Sequence, residues 1–292
     1  MTTTLESLRK QIDSAQDMQS IVRVMKSLSA VSITAYQRAA ERLRLYQEVI
    51  DRGLHAVLMS GAIRLEGDVR EEGHAGLILF GSDRGLCGGF NEMVVRQACD
   101  WLGARGDVPI LAIGQRGSAR LEAEGHMPDE VFMQAGSVSG LSKLVEAILV
   151  AVDAWRAQRD VVRVVTMFNF EAQRGTVRPA AETILPVDRE ELYRIAGREW
   201  PTNQLPVFDG SADKVFSELI RERLYTSLMR AGAESLAAEH AKRLSAMQAA
   251  ERNITEKVEE LQGAFRRQRQ DAITDELMDI VSAYESVSTP AR

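Results

Sequence analysis

Glycine and proline are missing from the first 52 residues of this chain, and from Asp213 to Thr289 there is no proline and only two glycines, Gly232 and Gly263. Those two residue types interrupt helices, so their absence leaves two long stretches without an internal stop signal. Aromatic residues make up only 5% of the chain, which disfavours a β-sandwich core and suits packed helices. Two cysteines, Cys87 and Cys99, are too few for a disulfide framework and read as reduced thiols. Long hydrophobic runs are also lacking. The longest, Leu144–Trp155, is broken by Glu146 and Asp153 and is too short to span a bilayer. The opening MTTTLESLRKQID has no apolar core and carries Glu6 and Asp13, so neither a signal peptide nor a transit peptide is expected. Positive charge is not in excess: a net charge of −6 gives no footprint for nucleic acid. What remains is the profile of a soluble intracellular protein of 292 residues, enough for one large or two modest domains.

The uninterrupted stretches carry helical spacing. Leu5, Leu8, Ile12, Ala15, Gln19 and Val22 form an a/d-type seam with one polar member. Met25, Ser29, Ile33, Tyr36, Ala40, Leu43 and Ile50 continue it. In the C-terminal stretch Met247, Ile254, Leu261 and Val258, Phe265, Ala272 recur at intervals of seven, and past Gln268 the seam moves to Ile273, Leu277, Ile280, Tyr284 and Val287. Upstream, Leu236, His240, Leu244 and Met247 step at a longer local period, which relaxes a supercoil. At roughly 1.5 Å per residue the two helices would reach about 75 Å and about 115 Å. No domain core encloses such rods, so they are expected to pair as an antiparallel coiled coil. The C-terminal rod is the longer, so one end is expected to project alone or to sit in a partner's cavity.

The middle alternates strands with helices. Strands are expected at Ala75–Phe80, Val108–Ile113, Glu130–Phe132, Val161–Phe168 and Thr176–Leu185, the last an edge strand because it contains Pro179. Helices are expected at Glu92–Leu102, Arg116–Glu124 and Leu141–Arg156. This order implies a Rossmann-like, mostly parallel sheet covered on both faces and inserted between the rods. The expected divisions are 1–58 for the N-terminal coiled-coil helix, 74–205 for the α/β domain and 210–289 for the C-terminal helix. Residues 187–210 read as a link, with Asp209 or Ser211 capping the second rod.

Gly81–Asn91 follows a strand and precedes a helix, where a nucleotide-binding enzyme would hold a phosphate. The loop has neither GxGxxG nor the Lys-Ser/Thr ending of a P-loop, and reads better as a glycine-enabled turn or contact surface around Gly85, Gly88 and Gly89. Cys87, near a helix N-terminus, has some prospect of thiolate stabilisation but no identifiable base. His55, His74, His126 and His240 fall on separate elements without metal-ligand spacing, and His240 reads as a packed seam residue. No catalytic, cofactor or metal site is expected.

Three segments together carry a more specific signal. Ser82–Asn91 (SDRGLCGGFN), Ser235–Asn253 (SLAAEHAKRLSAMQAAERN) and Arg269–Val281 (RQDAITDELMDIV), in this order, resemble the gamma subunit of rotary F-type ATP synthase. The resemblance extends over nearly the whole chain and includes the order long helix, α/β middle, long helix. It departs at Ser20–Ala39, where Met25 and Lys26 match but Ser32 and Thr34 replace usually basic residues, and at Ser282–Ala283, where Gly-Ala is usual. These departures mark a divergent, alternate bacterial branch. The resemblance implies a non-catalytic rotor shaft, its paired helices inside a hexamer of three alpha and three beta subunits. The middle would pack with an epsilon subunit on a membrane ring of c subunits. It implies that Arg269 and Gln270 bond to a beta-subunit loop, that Thr274 and Glu276 belong to the same motif, and that Met25 and Lys26 face beta. Arg266, Arg267 and Arg269, with Arg9, Lys10, Arg23 and Lys26 on the other rod, would form a basic collar for acidic loops. The membrane would be met only through partners, on the cytoplasmic face of the bacterial inner membrane. The competing reading is a nucleotide- or phosphate-binding α/β enzyme whose coiled coil serves to oligomerise it.

Overall fold

The structure is a computed structural model that describes residues 4–63, 65, 73–103, 105–173, 175–200, 202–204 and 206–288. It divides into two compact units, one of residues 1–28 with 245–292 and one of residues 29–244. Helix α1 runs Leu5–Met59 and α6 runs Ala212–Ser288, and each contributes to both units. Between them come β1 (His74–Phe80), α2 (Phe90–Leu102), β2 (Ile110–Ile113), α3 (Gln115–Ala123), β3 (Glu130–Phe132) and α4 (Val138–Gln158). They are followed by β4 (Val161–Gln173), β5 (Thr176–Leu185) and α5 (Arg189–Ala196).

In the larger unit the five strands lie in the order β3-β2-β1-β4-β5. All neighbours are parallel except β4 and β5. Pro179 therefore sits on an edge, where a missing N–H donor costs no ladder bond on a further strand. The sheet core follows from the period of two. Leu77 and Leu79 face one way, against Val94, Val95 and Ala98 of α2 and Leu121 of α3. Ile78 and Phe80 face the other, against Leu141, Val145, Ile148 and Val152 of α4 and against Leu228, Met229, Ala231 and Ala233 of α6. Each of these side chains is buried, and full burial of one such aliphatic group contributes about 1.5–3 kcal/mol.

Helix α6 can lie this close because it is thin there. Gly232 packs where a Cβ would stand 2.7 Å from Leu141 Cδ1, so a glycine that looks like a flaw in a long helix is a site of close approach. Helix α1 follows α6 through the Tyr36–His240 ring stack (5.8 Å), Arg44–Glu234 (2.7 Å) and the buried Arg223–Asp51 pair. Within the smaller unit Gln19 Nε2 donates to Thr255 Oγ1 (3.0 Å), and Lys26 pairs with Glu251 at 2.5 Å. All the described α1 seam residues expected from spacing are buried or half-buried.

Two expectations need correction. The link at 187–210 contains a helix, α5, capped by Asp188, whose carboxylate accepts from the Glu190 N–H at 3.0 Å. It is held by Leu192 and Ile195 packed against Ile50, Leu54 and Leu58 of α1. Eight residues flanked by prolines gave too short a periodic signal to separate from a loop. Strand β4 also extends to Gln173, beyond the apolar run, because pairing with β5 rather than burial sustains its end.

Candidate functional site

Two places gather the residues singled out by sequence: the glycine-rich loop and the terminal stretch of α6.

The loop leaves β1 at Gly81 and enters α2 at Phe90. Asn91 holds its neck: Oδ1 accepts from the Ser82 N–H at 2.9 Å and Nδ2 donates to Ser82 Oγ at 2.8 Å. The Asp83 carboxylate accepts from the backbone N–H of Gln115 (3.0 Å) and of Gln134 (2.8 Å), tying the loop to α3 and to the segment after β3. Left-handed backbone falls at Leu86 (φ 60°) and Gly88 (φ 56°). Gly89 has φ −79° and forms the N-cap of α2, and a Cβ on it would touch only Glu92 Oε2 at 3.4 Å. The conformational demand therefore rests on Gly88 and not on Gly89; Gly85 has open space around it.

The expectation of thiolate stabilisation at Cys87 is overturned. Its side chain is buried with Phe90, Val177 and Ala238, and burial pushes the thiol up, although Ser82 Oγ stands 3.6 Å away. Cys99 is likewise raised by burial.

Helix α6 meets this loop with a charged pair. Glu239 and Arg243 are both buried and lie one turn apart, 2.6 Å between their charged groups. Arg243 Nη2 also donates to the carbonyls of Arg84 and Gly85, at 3.4 Å each. Gln134 Nε2 donates to Glu239 and to the Gly81 carbonyl (3.3 Å). Burial pushes the Glu239 carboxyl up, against the opposing pull of Arg243 and Gln134. Burial, then Arg243, pushes the adjacent His240 down to about 4.

The loop thus turns carbonyl oxygens toward a cation. A phosphate cradle does the reverse, converging N–H groups on an anion. Here the N–H of Ser82 is used by Asn91, that of Gly81 by the Ile113 carbonyl and that of Phe90 by the Cys87 carbonyl. This geometry counts against the phosphate-binding alternative. Glu239 and Arg243 were not singled out by sequence, yet a signal existed: an i, i+4 acid–base pair inside an alanine-rich run has little reason to be there unless it is buried against something polar.

The other gathering is the stretch of α6 in the smaller unit. Arg269, Gln270 and Glu276 are exposed, and Thr274, also exposed, donates its hydroxyl to the Gln270 carbonyl at 2.9 Å. Around them Ile273, Leu277, Met278, Ile280 and Val281 are all exposed, three of them by more than half. The shifted apolar seam beyond Gln268 therefore has no cover among the described residues. Met25 is half-buried. Lys26 and Arg23 (3.4 Å) both pair with Glu251, whose carboxyl is held low by the Lys26 hydrogen bond, and Lys10 pairs with Glu6 at 2.9 Å. Three cations of the expected basic collar thus have carboxylate partners within the chain, two of them sharing Glu251. Arg266 and Arg267 are exposed beside Arg269. Among the described residues no group of His, Cys, Asp and Glu could hold a metal ion, and no helix is long and apolar enough to cross a membrane.

Comparison with known proteins is consistent from end to end. The family model described as ATP synthase matches residues 4–287. The ATP synthase gamma chain of Geotalea uraniireducens is 29% identical over 295 residues, covering 97% of this chain and 99% of its own. That of Fuscovulum blasticum is 30% identical over 300 residues with the same coverage. Among solved structures, a chain of the Euglena gracilis mitochondrial ATP synthase, in an assembly of OSCP, F1 and c-ring, is similar in fold with TM-score 0.68 and 15% identity. It covers 99% of this chain and 97% of that one.

Proposed function

The chain belongs to the ATP synthase gamma-chain family, and from that premise we propose that α1 and α6 pair as an antiparallel coiled coil that turns inside a hexamer of catalytic and non-catalytic subunits. The chain is a non-catalytic subunit, the central shaft of a rotary ATP synthase, and chemistry belongs to its partners. The observation that carries this reading is the end-to-end match: 97% of this chain aligns with 99% of a gamma chain.

The physical features support it. A shaft needs stiffness, which long helices without proline supply. It also needs surface that only partners cover. The exposed Ile273, Leu277, Met278, Ile280 and Val281 form such a patch, of a kind that isolated monomers rarely tolerate. In this reading Arg269, Gln270, Thr274 and Glu276 meet the loops of the catalytic beta subunits. Met25 approaches the same subunits, and Lys26 contributes through its shared contact with Glu251. The functional divisions are 1–58 and 210–289 for the coiled coil and 74–205 for the α/β body. That body would pack with an epsilon subunit on the c-ring, at the cytoplasmic face of a bacterial inner membrane, with membrane contact only through those partners.

The test is co-purification of tagged chain from its host with identification of its companions, followed by an ATPase assay. Recovery with alpha, beta and epsilon subunits, and activity lost on removing this chain, is the expected result. Recovery alone, with nucleotide bound at Gly81–Asn91, would sink it. In the reconstituted complex, Arg269→Ala with Gln270→Ala should lower coupled synthesis while the helical signal of the chain is unchanged; full coupling would remove these two residues from the contact.

A further inference from the structure

A shaft transmits load only if the body that receives the load cannot slip on the helix that delivers it. In the larger unit the contact between the α/β body and α6 is mostly apolar: Leu141, Ile148 and Phe80 against Leu228, Met229, Ala231 and Ala233. Apolar attraction is non-directional and scales with area, so by itself it holds two surfaces together without strongly fixing the angle between them. The small residues of α6 make this helix smooth apart from the close approach of Leu141 at Gly232. Residues 231–239 are all buried, yet this run includes Ala231, Gly232, Ala233, Ser235, Ala237 and Ala238, which offer little to interdigitate.

Among the described residues, directional contacts between body and α6 include the pairing of Arg223 with Glu191 of α5 and two further levels. One is Arg230, which pairs with Glu182 of β5 and with Glu234 on its own helix (3.4 Å), its guanidinium 6.0 Å from the Phe168 ring centre. The other is the Glu239–Arg243 pair. It differs from the first in meeting a loop rather than a strand, and in having both partners almost wholly enclosed, at 3% and 5% exposure. It reaches three separate parts of the body: the loop carbonyls of Arg84 and Gly85, the side chain of Gln134 after β3 and, through Gln134 and Asp83, the start of α3. The loop end is anchored in turn, since Asn91 fixes Ser82, and Ser82 Oγ donates to the Arg84 carbonyl at 3.0 Å. The acceptor that Arg243 uses is thus itself held.

We infer that Glu239 and Arg243, with Gln134, are the positioning residues of a torsional joint that locks the rotational register of α6 to the α/β body through the Gly81–Asn91 loop. The inference rests on the shaft reading above. The glycine-rich loop is then neither a ligand cradle nor a passive turn. Its left-handed bend at Leu86 and Gly88 brings two carbonyls to one guanidinium nitrogen at 3.4 Å each, while the charge-assisted bond of the same nitrogen to Glu239, at 2.6 Å, supplies the strength. Because the pair is buried, a rotation of α6 by a fraction of a turn would leave the two charges paired with each other but stripped of Gln134 and the two loop carbonyls in a poorly solvating interior. That penalty is what resists slip.

The test uses the assembled complex, with two readouts that loss of stability alone does not move. In sealed vesicles the ion transport driven per ATP hydrolysed is read with a potential-sensitive dye. In single complexes held by the hexamer, a bead on the α/β body at Met127→Cys, an exposed position, reports the width of angular fluctuation at a paused state. Both are counted per working molecule, so a lower yield of folded complex cancels. The double variant Glu239→Gln with Arg243→Gln removes both charges and avoids leaving one buried and unpaired. The expected result is a wider angular distribution and a several-fold fall in transport per ATP. Arg243→Lys, which keeps the charge but moves it away from the position of Nη2 that makes all three contacts, should fall between the double variant and the unaltered chain. Unchanged width and unchanged transport per ATP in the double variant would overturn the joint. Absence of rotation with the unaltered chain would overturn the shaft reading itself, and the joint with it.

Discussion

Between Thr226 and Glu239, α6 is enclosed by neighbours; between Ile273 and Val281 the same helix carries large apolar side chains in the open. Helix-forming tendency does not distinguish the two stretches. Side-chain size does. The enclosed stretch is built of small residues around Leu228, Met229 and Leu236, so other elements can approach from several sides. The open stretch places Ile273, Leu277 and Ile280 along one face with nothing among the described residues to cover them. The first stretch is bound by its own fold, and the second, on the reading proposed above, is covered by another protein. On that reading one helix serves as a core element and as an interface element.

The sharpest way to break this contrast is one truncation in each stretch. Leu228→Ala empties a fully buried site and should cost about 2–5 kcal/mol in urea unfolding. Leu277→Ala removes an exposed side chain and should stay within about 0.5 kcal/mol, while weakening assembly with partner subunits. Equal effects on the chain's own stability would erase the distinction.

Acid offers a second test, confined to the enclosed region. The folded-state pKa of His240, about 4, lies below its ordinary 6.5, so the folded form binds fewer protons than the unfolded one. Its contribution is complete above pH 6.5 and is lost as the pH falls toward 4, by roughly 1–3 kcal/mol. The groups around it are Tyr36 on α1 with Glu239 and Arg243 on α6. Glu239, whose carboxyl is raised, acts in the opposite sense and favours the folded form on acidification. The informative quantity is therefore the difference between the unaltered chain and His240→Gln. The unaltered chain should lose more stability between pH 7 and pH 5; parallel curves would mean that His240 is not desolvated.

The two glycines of α6 give the finest comparison, because the same substitution should act with opposite signs. Gly232→Ala adds a methyl 2.7 Å from Leu141 Cδ1, and overpacking of about 1–3 kcal/mol should exceed the gain of about 1 kcal/mol in helix propensity. Gly263→Ala meets only Arg267 Nη1 at 3.6 Å, so it should stabilise by up to about 1 kcal/mol. Thermal melts of the two variants should shift in opposite directions.

Much of the architecture could be read from residues. The alternation of Leu77, Ile78, Leu79 and Phe80 contained both faces of the sheet, and the spacing of Leu8, Val22, Ser29, Tyr36, Ala40 and Ile50 contained the buried face of α1. Helix α5 was illegible because eight residues give barely two turns of periodicity. The lock between loop and helix was illegible for another reason. Glu239 and Arg243 lie far along the chain from Arg84, and no local pattern says that a guanidinium will find two particular carbonyls. Even Gly88 and Gly89, adjacent and chemically identical, could not be told apart until backbone angles assigned the left-handed turn to the first.

Local chemistry, then, determined the elements. The absence of proline and glycine made the two long helices, period two made the strands, and three motifs in order made the family. These are properties of neighbours along the chain, which is where propensity and periodicity act. Tertiary structure alone decided that Lys26 and Arg23 spend their charge on Glu251, that Cys87 is sealed rather than reactive, and that a glycine-rich loop offers carbonyls to a buried arginine. Each of those outcomes depends on which distant groups share a small, poorly hydrated volume, and only the folded chain brings them together.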